Sequence, residues 1–240
     1  MIAFLRKIRK DLVNRGAVRR YLFYALGEVL LVMVGILLAL QVNNWNNNRT
    51  SKIEEEKILK GMYETLNDDL SRFKVKMSKV YNAEKRIQTL QDLIQSGAKV
   101  DTLNILCGAA YGTHNFDLTT SPYEVLKSSG LNIIIDDTLR QLIVKIYDKH
   151  LNYIISCNSI ELNVVMDGLR PYYLSNFTNI RFYETATPND PEAIYQDKYY
   201  HNLIDYRLTV IRNNLTSYYP GVITDIENLL LVIKEYLDFE

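Results

Sequence analysis

Three histidines, two cysteines and two pairs of adjacent aspartates are where this 240-residue chain has the residue types for chemistry. His114, His150 and His201 are far apart, and none stands in a His-Glu-x-x-His spacing that would turn two ligands onto one helical face. Cys107 and Cys157 are too distant for a Cys-x-x-Cys site. Their surroundings, "LNILCGAA" and "IISCNSI", suit buried thiols, although an oxidising compartment would also permit a bridge. Asp68–Asp69 and Asp136–Asp137 could offer oxygens to a divalent cation, but a solvated face and a helix cap are the plainer readings. There is no Gly-x-Ser-x-Gly, phosphate loop or dinucleotide fingerprint, and "SSG" at 128–130 reads as a helix end. The expectation is a protein that is not an enzyme and holds no cofactor or metal.

Two features point to binding instead. Twelve of the eighteen tyrosines fall between Tyr147 and Tyr236. The doublets Tyr172–Tyr173, Tyr199–Tyr200 and Tyr218–Tyr219 offer apolar bodies with polar tips, which suit a partly wet partner surface or the rim of a bundle. The second feature is Glu28, the one charge in the run from Tyr21 to Leu40. Twenty helical residues span about 30 Å, the thickness of a hydrocarbon core. Glu28, Gly35 and Ala39 share one face by their spacing of seven and four, and Gly35 with Ala39 makes a small-x-x-x-small pair that admits a second helix closely. A carboxylate at that depth costs about 2–3 kcal/mol, which a donor on a neighbouring helix would offset.

The elements that position these residues follow from periodicity. Domains are expected at 1–20 (a basic cytoplasmic tail), 21–42 (a transmembrane helix), 43–50 (a polar juxtamembrane segment) and 51–240 (a periplasmic helical domain). Ser51 and Glu54 fit a capping box ahead of a long helix ending near Gly97. Within it Leu59, Leu66, Phe73, Val80, Ile87 and Ile94 recur every seven residues, and Met62, Leu70, Met77 and Leu90 fill a second lane that Asp69 and Glu84 interrupt. Ser121 caps a short helix that Gly130 stops, and Asp136 or Asp137 opens an amphipathic run that Pro171 closes. Residues 171–190 read as irregular. Asp190 opens a helix to about Ser217, "YYPG" is a break, and "ITDIENLLLVIKEYL" is the last helix. "LNIII" is the best strand candidate but has nothing to pair with. The class is all-α: a transmembrane helix, a long helix and an extracytoplasmic bundle.

Charge gives the orientation. Residues 1–20 carry seven basic residues against Asp11, and residues 41–240 carry 21 basic and 26 acidic. The positive end stays in the cytoplasm. The acidic remainder lacks the clustered cations that nucleic acid requires, so no nucleic-acid partner is expected. "LLALQV" offers no good pair of small residues to a signal peptidase, so the span is expected to stay as an anchor.

Two stretches resemble a known group. "RRYLFYALGEVLLVMVGILLALQVNNWNNNR" and "YEVLKSSGLNIIIDDTLRQLIVKIYD" are similar to motifs of the domain-of-unknown-function family 6090, uncharacterised single-span membrane proteins of Bacteroidota. That family usually has an extra residue after the glycine of the second motif, where this chain passes directly to Leu131. The resemblance implies a bacterial inner-membrane protein with a periplasmic domain and implies no activity. The expected function is protein–protein interaction or envelope complex assembly, with the lipid bilayer and another transmembrane helix as partners. A ligand-sensing domain signalling through a partner is the alternative, and an envelope hydrolase the remotest.

Overall fold

The computed structural model describes residues 18–238, with side chains from Leu22 onward; the side chains of the basic tail expected over 1–20 lie outside that description. Helix accounts for 82% of the described residues, with a long apolar helix at the N-terminal end and a helical bundle after it. Two compact units divide at Glu54 and Glu55.

The first helix, α1 (Val18–Ser96), passes through both units without interruption. A helix start at Ser51 is therefore corrected, and the polar segment 43–50 is itself helical. No glycine or proline lies between Gly35 and Gly61, and Asn is only a mildly poor helix former, so nothing in "NNWNNNRT" ends a helix. Thr50 Oγ1 instead donates back to the Asn46 carbonyl at 3.1 Å. Gly97, at φ 69°, provides the expected stop. Within the first unit, none of the apolar window is buried, which separates it from an ordinary core helix. Among the described residues it is the one helix long and apolar enough to cross a membrane, and it fits an anchor or a signal sequence.

The second unit begins where packing begins. All six residues of the seven-residue lane are buried, as are Met62, Leu70, Met77 and Leu90. Phe73 is typical, its ring 5.0 Å from Phe116 and 5.9 Å from Tyr219. Asp69 interrupts the lane because it is a buried tether. It accepts from Thr119 N at 2.7 Å and Thr119 Oγ1 at 2.9 Å, and pairs with Arg72. Glu55 ties the other end, accepting from Ile135 N and Tyr236 Oη, each at 2.9 Å.

Then come α2 (Leu103–Ala110) and α3 (Ser121–Ser129), whose cap position is Thr120 rather than Ser121. Leu131–Ile133 is a 3-10 turn and not a strand. Asp136 caps α4 (Asp137–Val144), accepting from Leu139 N at 2.7 Å. A π-turn at Lys145–His150 leads into α5 (Leu151–Asn163), and a second at Val164–Leu169 leads into α6 (Arg170–Asn176). Pro171 does not close this run. Its missing N–H and its ring are tolerated where the wider π-turn has already loosened the bonding ahead of it.

Residues 171–190 are not irregular. After α6 they form an antiparallel hairpin, β1 (Phe177–Arg181) with β2 (Thr185–Pro188), with Phe177 opposite Pro188 and Thr178 opposite Thr187. The all-α expectation is corrected to mostly helical with this hairpin. Asp190 caps α7 (Pro191–Gln196), and Asp197 then breaks the expected single helix and caps α8 (Lys198–Val210). A third π-turn, Ile211–Thr216, precedes α9 (Tyr219–Tyr236).

Candidate ligand cleft

Lys76, Lys79, Ala83 and Arg86 follow one another on α1 at steps of three, four and three, so they lie on one helical face beside the buried lane. Ala83 is buried and small. These residues line a cleft of about 620 Å³ whose other walls are the 113–116 segment after α2 and the hairpin tip at Phe182, Tyr183 and Glu184.

Each wall is held by a specific device. Arg86 donates to the Tyr183 carbonyl at 3.0 Å and to the Ile105 carbonyl at 2.6 Å, tying α1 to the hairpin tip and to α2. Tyr183 N donates to the Tyr111 carbonyl at 3.1 Å, and its hydroxyl donates to the Thr113 carbonyl. Gly108 lets α2 cross the hairpin closely, since a Cβ there would meet Thr185 N at 2.3 Å. Asn158 clamps Phe116 twice, accepting from its N–H at 3.0 Å and donating to its carbonyl at 2.6 Å.

Behind the 113–116 segment lies the ion pair Arg207–Glu161, with both side chains at 0% exposure. The pairing is two-pronged, at 2.6 and 3.0 Å. Arg207 also donates to the Gly112 carbonyl at 2.8 Å, and Glu161 accepts from His114 N at 3.1 Å. Such a pair in the interior is favourable only when its remaining bonding capacity is used; here most of it fixes the backbone of the cleft wall, while Arg207 Nε is buried with no partner. Burial, then the positive charge of Arg207, push the His114 imidazole down to about 4, against an opposing pull from Glu161. His114 is therefore neutral at ordinary pH, and its Nε2 is buried with no hydrogen-bond partner.

A second polar cluster joins α5 to α9. His150 sits between Tyr218 Oη at 2.8 Å and Asp225 at 2.7 Å, and Lys145 also reaches Asp225 at 2.7 Å. Burial would raise the Asp225 carboxyl, but the bonds from Lys145 and His150 outweigh it and hold it below the ordinary carboxylate value. The Tyr218 hydroxyl is pushed up by burial, so it stays protonated at neutral pH. Neither thiol is activated. Cys107 and Cys157 are free and buried; burial pushes Cys107 up to about 12 and raises Cys157 as well. Among the described residues no three His, Cys, Asp or Glu side chains gather as a metal group.

The tyrosine doublets are split between inside and outside. Tyr173, Tyr200 and Tyr219 are wholly buried, so for these three the expected partner surface is corrected to core. Tyr173 donates to the Cys107 carbonyl at 2.8 Å, Tyr200 reaches the Cys107 sulfur at 3.4 Å, and Tyr219 stacks on Phe116 at 4.0 Å. Tyr172 and Tyr218 are half-buried, bonded to Asp197 and His150, and Tyr199 is exposed. Adjacent residues on a helix point about 100° apart, which is why one ring of each doublet is buried while its neighbour is not. Gly35 and Ala39 are exposed and Glu28 half-buried.

No sequence motif marks Lys76, Lys79, Arg86, Glu161 or Arg207 as site residues, and His114 stands in no ligand spacing. The signal available for the first three was their step of three, four and three around a small alanine. Nothing in the sequence pairs Glu161 with Arg207, because they lie 46 residues apart on different helices and meet only through tertiary packing. Comparison with protein-family models, curated proteins and solved structures finds no match for the chain.

Proposed function

We propose that the chain is a single-span protein of a bacterial inner membrane, with its N-terminus in the cytoplasm and its larger helical unit in the periplasm, and that it acts by association rather than catalysis. The observation that carries this is the continuous apolar stretch of α1 with none of its window buried, immediately preceding a well-packed helical unit. Apolar side chains left outside every core need lipid or another helix to cover them. Gly35 and Ala39 leave the backbone open to a second helix, and no atom lies within 4 Å of a Cβ built on Gly35. Glu28 lies on the same face, where a partner helix would supply it with a further donor. The motif likeness to the domain-of-unknown-function family 6090 belongs to the same proposal.

The test is in-membrane crosslinking with partner co-purification for wild type, Glu28→Leu and Gly35→Ile. Both substitutions are expected to reduce association. If both leave it unchanged, this face is not used for assembly. Ligand sensing is the second reading, and the cleft is the observation that favours it.

A further inference from the structure

We propose that the cleft between α1, the 113–116 segment and the hairpin tip binds a small organic carboxylate carrying an apolar or aromatic body. This inference stands apart from assembly through α1, because it rests on residues of the second unit alone.

A volume of about 620 Å³ lies in the range that small-molecule sites occupy. Charge selects the ligand class. Lys76 is already paired with Asp117 at 2.5 Å, and Arg86 has its donors committed to carbonyl oxygens. Lys79 has no ion-pair partner among the described residues. Counting Glu184 on the rim, the three cations and two carboxylates of the site leave a balance of one positive charge. One negative charge on the ligand neutralises that balance, whereas a phosphate dianion overshoots it. Lysine meets a carboxylate as a point charge with rotatable donors, so no free guanidinium fork is needed.

The rest of the cleft suits the ligand's body. Phe182 is exposed at the tip although it is a large aromatic residue, and Tyr183 adds ring surface to the lining. Thr113, His114 and Asn115 add polar groups on the 113–116 side.

The experiment uses the full chain in detergent micelles, read by saturation-transfer and titration NMR. The probes are benzoate, 4-hydroxybenzoate, phenyl phosphate and benzyl alcohol. The two carboxylates are expected to bind more tightly than benzyl alcohol and phenyl phosphate. Lys79→Ala should weaken the carboxylates about tenfold, and Lys79→Arg should retain most of the binding. Lys79 is exposed, so its replacement leaves the packing intact. The proposal is overturned if no probe gives a signal that depends on Lys79, if phenyl phosphate binds best, or if benzyl alcohol equals the carboxylates. Because Lys79→Ala should leave α1 crosslinking unchanged, failure here and failure of the association reading are told apart.

Discussion

Arg207 and Glu161 are both at 0% exposure, and such a pair contributes little net stability compared with well-packed apolar residues, yet breaking it is expensive. In the 46–240 fragment, Arg207→Met should lower the unfolding free energy by about 3–5 kcal/mol, because Glu161 is left buried without its partner. The double variant Arg207→Met with Glu161→Leu should recover much of that loss. Urea unfolding of both measures it, and a single variant as stable as wild type would show that the pair does not hold the cleft wall. His114 adds a pH dependence with a definite sign. Its folded value, about 4, lies below the unfolded value near 6.5, so the unfolded chain takes up the proton first. Its contribution is fully present above pH 6.5 and falls by about 2 kcal/mol between pH 7 and 5, where carboxylates remain ionised. His114→Gln should flatten the stability profile in that window.

At the scale of elements, Gly108 is the position where α2 and the hairpin meet most closely. A Cβ there would lie 2.3 Å from Thr185 N and 2.5 Å from the Glu184 carbonyl carbon, both of them backbone atoms that cannot rotate away. Gly108→Ala should therefore destabilise by roughly 1–3 kcal/mol even though alanine is the better helix former. Thermal unfolding is the measurement, and a neutral or stabilising result would show that the two elements separate easily. The same contact explains what could be read in advance. The lane of Leu59 to Ile94 was legible because one helix repeats its own geometry every seven residues. The Asp136 and Asp190 caps were legible because a cap needs only a short local pattern. The hairpin was not: "FTNIRFYETATP" is rich in β-favouring Thr, Phe, Tyr and Ile, but two four- or five-residue strands are stable only against something else. That something is α2, brought close by Gly108. The continuity of α1 and its passage through "NNWNNNRT" were hidden by a run of polar residues that looks like a loop and contains no breaker. The cleft was illegible for the same reason as the hairpin, since two of its three walls exist only through tertiary contact.

For the whole molecule, the question is whether the apolar start of α1 remains attached and which way it points. The helix fits both an anchor and a signal sequence. One sequence feature favours the anchor: "LLALQV" places a bulky or long side chain at one of the two small-residue positions of each candidate cleavage site. The chain should thus be recovered from membranes at its full 27.9 kDa and should resist extraction by alkaline carbonate. The seven basic residues before the span, against Asp11, favour retaining that end in the cytoplasm. A reporter enzyme that matures only in the periplasm, fused after Glu240, should be active. Replacing Arg15, Arg19 and Arg20 together with Glu should lower that activity by weakening the bias next to the span. Recovery of a shortened, soluble chain would identify a signal sequence and remove the anchor. Activity confined to a cytoplasmic reporter would instead reverse the orientation, moving both the cleft and its carboxylate ligand to the opposite side of the membrane.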